Sequence, residues 1–248
     1  MEGKRVLVTG ATAGIGAACA RAFAALGCAL VLVGRREERL AALAAECQER
    51  WGSELATVAM DVRDREAVGS IRWPPVDVLV NNAGLARGME PLQEGDPAEW
   101  EEVLDTNVKG LLYFTRALLP AMIARGEGHV INIGSVAGHW TYPGGAVYCA
   151  SKHAVKAISE AMRLDLHGTG VRVSSVDPGM VETEFSEVRF RGDRERADKV
   201  YEGMTALGAD DIAETVVWCA TRPAHVNVCE VILMPVDQGS VTMVHRRS

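Results

Sequence analysis

Apolar residues along this chain fall into short, nearly continuous runs separated by longer stretches of helical spacing. The runs are RVLVT (5–9), ALVLV (29–33), LATVAM (55–60), VDVLVN (76–81), HVINIG (129–134), VRVSSV (171–176) and EVILMP (230–235). Their shortness and β-branched content predict strands rather than buried helix segments. Apolar positions at helical spacing predict helices near 15–26, 37–50, 97–124, 145–167 and 209–221. Strands that are apolar on both sides need cover on both faces of their sheet, and helical crossovers supply it. The expected fold class is therefore α/β: a doubly wound parallel sheet of Rossmann type, in a single domain over 1–248. One stretch, 181–207, breaks the rhythm. It is rich in charge, has no clean periodicity, and follows the sixth strand at the edge where ligands sit in open α/β sheets.

Composition narrows the function classes. With 48% hydrophobic and 24% charged residues, the 248-residue chain has the balance of a globular protein that buries a core. A net charge of −7 with dispersed basic residues gives no nucleic-acid footprint. No apolar run approaches roughly eighteen residues, so no membrane span is expected. The opening MEGKRVLVTG runs into the first strand without a signal-peptide pattern, which predicts a cytoplasmic protein. The cysteines at 19, 28, 47, 149, 219 and 229 form no CxxC pair, and the histidines form no HxxxH or HExxH. These spacings predict buried thiols and no metal site. The scattered Trp and Met residues read as core.

The glycine-rich VTGATAGIGAA, at the junction of the first strand and first helix, carries Gly10, Gly14 and Gly16. Glycines there let the backbone approach a pyrophosphate, and the helix N-terminus offers it free N–H groups. At the end of the second strand, a carboxylate would bond the ribose hydroxyls of NAD and repel a 2′-phosphate. The chain has Gly34 instead, followed by Arg35 and Arg36. Guanidinium groups clamp phosphate, and basic residues opening a helix oppose its dipole, which favours a functional reason for them. The cofactor predicted is NADP(H). In VYCASKHA, Tyr148 and Lys152 are four residues apart and share one helix face. Alone, that pair reads first as an ordinary surface helix with a half-buried Tyr and a solvated Lys.

The order of motifs lifts it out of that reading. TGxxxGxG begins at Thr9, DV is Asp61–Val62, NNAG is 81–84, Ser135 precedes Tyr148 by 148 − 135 = 13 residues, and DPG is 177–179. Over essentially its whole length the chain resembles the short-chain dehydrogenase/reductase family. The resemblance implies a catalytic set of Asn107, Ser135, Tyr148 and Lys152. It also implies cofactor contacts from Gly10, Thr12, Gly14, Ile15, Gly16, Arg35, Arg36, Asp61, Val62, Asn82, Ala83, Gly84, Pro178, Gly179, Val181 and Thr183, besides Tyr148 and Lys152. The chemistry agrees. Hydride transfer from an alcohol carbon needs a base for the hydroxyl proton, and a phenol qualifies when nearby cations favour its ionised form. Ser135 can steady charge developing on the substrate oxygen. By resemblance, Asn107 links Lys152 to solvent through its backbone carbonyl and a water. Singly, Ser135 reads as a strand-end turn serine and Asn107 as a helix irregularity tied to backbone.

A finer resemblance is to the NADP-dependent 3-hydroxy acid (serine and allo-threonine) dehydrogenases of this family. It is carried by NNAGLARGMEP (81–91), DLHGTGVRV (165–173), TEFSEVRFRGD (183–193) and PAHVN (223–227), while MVETEF departs from the glycine-richer approach expected there. It implies oxidation of the C3 hydroxyl of a small 3-hydroxy acid, or reduction of small carbonyl compounds. The rivals are a reductase of bulkier ketones or steroids, a non-catalytic NADP(H)-sensing protein, and an epimerase or dehydratase of the extended relatives. Loss of Tyr, Lys or Ser would mark the sensor, and a longer C-terminal substrate domain the extended relatives. The stretch 181–207 is expected to cover the substrate. A substrate carboxylate needs a cation, and Arg87, Arg189 and Arg191 are the candidates, Arg189 first. If 189–191 is extended, Arg189 and Arg191 point to one side and Phe190 to the other. Helices 97–124 and 145–167 carry apolar residues beyond one face, and family members pair these helices between subunits, so a homotetramer is expected.

Overall fold

The computed structural model describes residues 1–247; residue 248, which the expected domain includes, lies outside the described residues. Among the described residues, seven strands form one sheet: β1 (Arg5–Thr9), β2 (Ala29–Gly34), β3 (Leu55–Ala59), β4 (Val78–Asn81), β5 (Gly128–Ile133), β6 (Val171–Pro178) and β7 (Glu230–Leu233). All pair in parallel, in the order β3-β2-β1-β4-β5-β6-β7. Every predicted strand is present. Successive side chains on the central strands feed opposite layers: Val6 and Val8 enter one apolar cluster and Leu7, between them, enters the other. Helices α1 (Gly14–Ala24), α2 (Glu37–Trp51) and α9 (Ala209–Ala220) cover the first face; α3 (Arg65–Ser70), α5 (Leu111–Arg125) and α6 (Ala146–Asp165) cover the second. The strand order reverses between β1 and β4, and that reversal opens a crevice at the carboxyl ends of the strands.

The stretch predicted as one helix over 97–124 is wound in three ways. It is an α-helix in α4 (Pro97–Leu104), a π-helix over Asp105–Gly110, and an α-helix again in α5. Asp96 caps its start by accepting from the Ala98 N–H, and Pro97 fits the first turn because it has no N–H to satisfy there. The wider π turn falls on Asn107, and such turns recur at functional positions. The irregular stretch 181–207 does fold: α7 (Phe185–Arg189) and α8 (Arg194–Lys199) lie in it, and Val181 bridges to Leu207.

Two readings of the core need correction. Five cysteines are buried but Cys229 is exposed. Trp140, Trp218, Met89 and Met243 are exposed as well, so scattered placement did not mean core for these.

Candidate active site

A cleft of about 770 Å³ runs along the carboxyl ends of the strands, within the size range of ligand sites. Its floor is the glycine turn knitted to NNAG. The Thr9 hydroxyl accepts from the N–H groups of Asn82 (3.0 Å) and Ala83 (3.1 Å), and the Asn82 amide donates to the carbonyls of Thr9 (2.9 Å) and Gly10 (3.2 Å). A side chain on Gly16 would collide with the Gly10 carbonyl. Helix α1 begins with no side-chain cap and no acid in its first turn. Its first N–H groups and positive dipole end therefore stay available to an anion.

At the β2 end of the crevice, Gly34 packs against Thr12: a Cβ at 34 would lie 2.6 Å from Thr12 Cγ2. The Thr12 hydroxyl accepts from Arg36 Nε (3.2 Å) and Nη2 (3.1 Å). The Glu184 carboxylate accepts from Arg36 (2.8 Å) and Arg39 (2.5 Å), so an acidic group lies between two guanidinium groups beside the cleft. Arg35 is exposed, 3.9 Å from Asp61. Burial alone would raise the Asp61 carboxyl, but hydrogen bonds from Arg63 hold it below the usual range. Gly10, Thr12, Gly14, Ile15, Arg35, Arg36, Asp61, Val62, Asn82, Ala83, Gly84, Pro178, Gly179, Val181 and Thr183 all line the cleft; Gly16 lies behind the turn and permits its tightness. These residues could hold a phosphate-bearing dinucleotide.

At the other end, Ser135, Tyr148 and Lys152 line the same cleft. Lys152 Nζ is buried, donates to the Ile133 carbonyl (2.8 Å), and stands 5.9 Å from the centre of the Tyr148 ring. Burial pulls its ammonium down to about 8, partly opposed by the Asp177 carboxylate. Burial pushes the Tyr148 phenol up to about 12, while the Arg189 guanidinium and the Ser135 hydroxyl pull the other way. The cation favouring the phenolate most here is thus Arg189, which sequence spacing alone did not pair with Tyr148. Ser135 accepts from the Ala137 N–H (3.1 Å) and donates to the Pro178 carbonyl at 3.4 Å. The Asn107 side chain is spent on structure, exchanging two 2.8 Å bonds with the backbone of Leu85 and donating to Ser151 at 3.0 Å. A Cβ at Gly84 would touch both Asn107 Oδ1 (3.2 Å) and Lys152 Nζ (3.7 Å), so only a glycine separates these two groups.

The three candidate arginines part company. Arg189 ends α7 and enters the cleft over the Tyr148 ring (5.1 Å) and the Phe185 ring (5.3 Å). It donates from Nη2 to the Tyr142 hydroxyl (2.9 Å), and its buried Nε has no partner. Arg191 turns away: the segment is helical rather than extended, and Arg191 takes a positive φ of 56°. It bonds Glu99 at the surface, outside the cleft, while Phe190 is buried. Arg87 also misses the cleft. It is tied to Glu102 (2.7 Å) and to the Val188 carbonyl (2.5 Å), so it fastens the base of α7 instead.

Sequence reading missed part of the wall. Tyr142, Met89 and Phe185 line the inner end, and Gln238, Val241, Thr242, Val244 and Arg246 line it from the far end of the chain. The Gln238 carboxamide oxygen accepts from the Met180 N–H (2.8 Å), and Arg246 donates to the Val200 carbonyl (3.0 Å), so this tail clasps the covering segment. A tyrosine six residues before Tyr148 was a usable signal; the tail offered none, being short and aperiodic.

Residues 4–193 match the family model described as short chain dehydrogenase, and the chain belongs to that family. It is 51% identical over 249 residues to the NADP-dependent 3-hydroxy acid dehydrogenase YdfG of Salmonella typhi, covering 97% of this chain and 99% of that one. It is 49% identical to sulfoacetaldehyde reductase 2 of Chromohalobacter salexigens, covering 94% and 95%. Among solved structures, the closed form of serine dehydrogenase complexed with NADP+ superposes with a TM-score of 0.90 at 48% identity, covering 98% and 100%.

Proposed function

We propose that this protein transfers a hydride between NADP(H) and a small alcohol or carbonyl compound carrying an anionic group, a 3-hydroxy acid such as serine or allo-threonine first. The observation that carries the reading is the inner end of the cleft. There the Tyr148 and Ser135 hydroxyls and the Arg189 guanidinium line the cleft together. A nicotinamide supplies the hydride acceptor or donor when bound. Tyr148 takes the hydroxyl proton in oxidation and returns it in reduction, while Ser135 holds the substrate oxygen and offsets charge that develops on it. Lys152, anchored on Ile133, supports the proton transfer from the same helix face. Arg189 receives the substrate anion through its guanidinium, which fits a carboxylate or a sulfonate equally well. A steroid-sized ketone would need an apolar wall where Arg189 and Tyr142 stand. The two named relatives act on a hydroxy acid and on a sulfonated aldehyde, and both substrates bear an anion.

The assay is a panel of short hydroxy acids and carbonyls, anionic and neutral, followed through NADPH absorbance. Turnover of anionic members with NADP(H) is expected. The reading fails if only neutral, bulky ketones react. In the same assay Arg36→Ala should lower kcat/KM with NADP(H) by about 10- to 100-fold, the scale of a charged hydrogen bond, and leave the value with NAD(H) nearly unchanged.

The reading extends to a cytoplasmic homotetramer with one domain over 1–248, residues 181–207 covering the substrate. Free thiols at all six cysteines suit a reducing compartment. Leu104, Leu112 and Ile123 on α4 and α5, and Trp218 and Ile232 on α9 and β7, are exposed large apolar side chains that subunit contacts would cover. Light scattering at micromolar protein should give about four chain masses; a monomer rejects this assembly.

A further inference from the structure

We infer that His139 is a positioning residue for the proton-transfer group, acting through the buried carboxylate of Asp177 on Lys152 and on the strand end that carries Ser135. Its part in proton transfer rests on the function proposed above; the geometry does not. His139 follows β5, and its side chain is nearly buried. Its Nδ1 lies 3.0 Å from Lys156 Nζ, and its Nε2 lies 2.8 Å from Asp177 Oδ2. An ammonium can only donate. Nδ1 is therefore the acceptor, and Nε2 carries the proton that it donates to Asp177. The other Asp177 oxygen accepts from the Ser175 hydroxyl at 2.5 Å. Two directed donors thus hold a carboxylate that is almost wholly buried.

That carboxylate lies against the peptide that organises the site. Asp177 Oδ1 fills the space a side chain at Gly134 would take. Gly134 joins Ile133, whose carbonyl holds Lys152, to Ser135. Asp177 also precedes Pro178, whose carbonyl receives the Ser135 hydroxyl. A shift of Asp177 would therefore move both polar groups at once. Its charge reaches Lys152 as well, opposing the burial that pulls the ammonium down to about 8. The groups around Lys152 are Tyr148 on α6, Asp177 on β6, Ser135 after β5 and, across Gly84, Asn107 on the π turn. Those around His139 are Asp177, Lys156 on α6 and Glu230 on β7, the last 3.7 Å from both the imidazole and Lys156. His139, Asp177 and Glu230 would also satisfy the spacing of a cation site. Lys156, against two of the three, supplies the positive charge there instead.

The test reads Lys152 directly and needs neither substrate nor cofactor. Lysine labelled at Cε is titrated by ¹³C NMR in the full chain, with Lys152→Met identifying the signal. In the unmodified protein Lys152 should titrate near 8. Asp177→Asn removes a negative charge that favours the ammonium, so the titration should move down by about one pH unit. His139→Phe keeps a ring but removes one of the two donors that hold Asp177, so the carboxylate is free to turn from its place beside Gly134; a smaller downward shift is expected. His139→Gln restores a donor and should return Lys152 towards its starting value. A Lys152 signal unmoved in Asp177→Asn rejects the inference; if His139→Phe does not fold, His139→Met, which also lacks the donor, takes its place. Movement in Asp177→Asn with none in folded His139→Phe rejects the part assigned to His139. Where turnover is measurable, the acid limb of the kcat profile should move down in the same order. Absence of turnover would count against the proposed function and leave the titration result standing.

Discussion

Tyr148→Phe should abolish nearly all turnover and leave NADPH binding almost intact. The substitution removes one oxygen. The ring stays beside Phe185, whose centroid is 5.7 Å away, and under the Arg189 guanidinium. Lys152 keeps its anchor on Ile133, because that bond does not involve Tyr148. Loss of a positioned acid/base group costs about 10²–10⁴-fold in rate. The expected result is a kcat lower by that factor, with the Kd for NADPH, read from its fluorescence, changed by no more than about twofold. Turnover within about tenfold of the unmodified protein would mean that another group moves the proton, and the assignment of Tyr148 would fall.

The second large effect is expected at Arg189. Its guanidinium lines the cleft, and among the described residues its buried Nε has no partner, so the group keeps unspent capacity for an anion. Arg189→Ala should raise KM for a 3-hydroxy acid by about 10- to 100-fold, the worth of one charge-assisted hydrogen bond. The change is not confined to substrate binding. Arg189 also favours the Tyr148 phenolate, so its removal should lower kcat for every substrate. The ratio between an anionic and a neutral aldehyde cancels that shared loss and isolates the anion contact. Equal losses on both would show that Arg189 serves the fold of α7 and the tyrosine, and not the substrate.

The sheet was legible in the sequence because both of its faces are covered. Near-continuous apolar runs such as ALVLV can be little else once helices alternate with them. The glycine turn was legible for a related reason: a collision with the Gly10 carbonyl leaves position 16 no other residue. Side-chain direction in the covering segment was not legible. An alternating reading of Arg189, Phe190 and Arg191 assumed an extended backbone, whereas α7 ends at Arg189 and the chain turns sharply after it. Arg87 was drawn to a different task by Glu102, fifteen residues along the chain, which no local pattern marks. The cluster of His139, Asp177 and Lys156 was equally hidden, since it joins a loop, a strand and a helix. Charges placed by tertiary contact leave no period to read.

The close fit of Gly34 against Thr12 bears on how cofactor preference could change over evolutionary time. An acid at 34 would be the obvious first step towards NAD, yet its Cβ would press on the Thr12 methyl, and the hydroxyl of that residue steadies Arg36. The single substitution would disturb the proposed Arg36 clamp on NADP(H) before it had room to build a site for NAD. A lineage moving that way must first shrink position 12, accepting a looser Arg36, and only then acquire the acid. The order of mutations is thus constrained by one methyl group, and the two changes are epistatic.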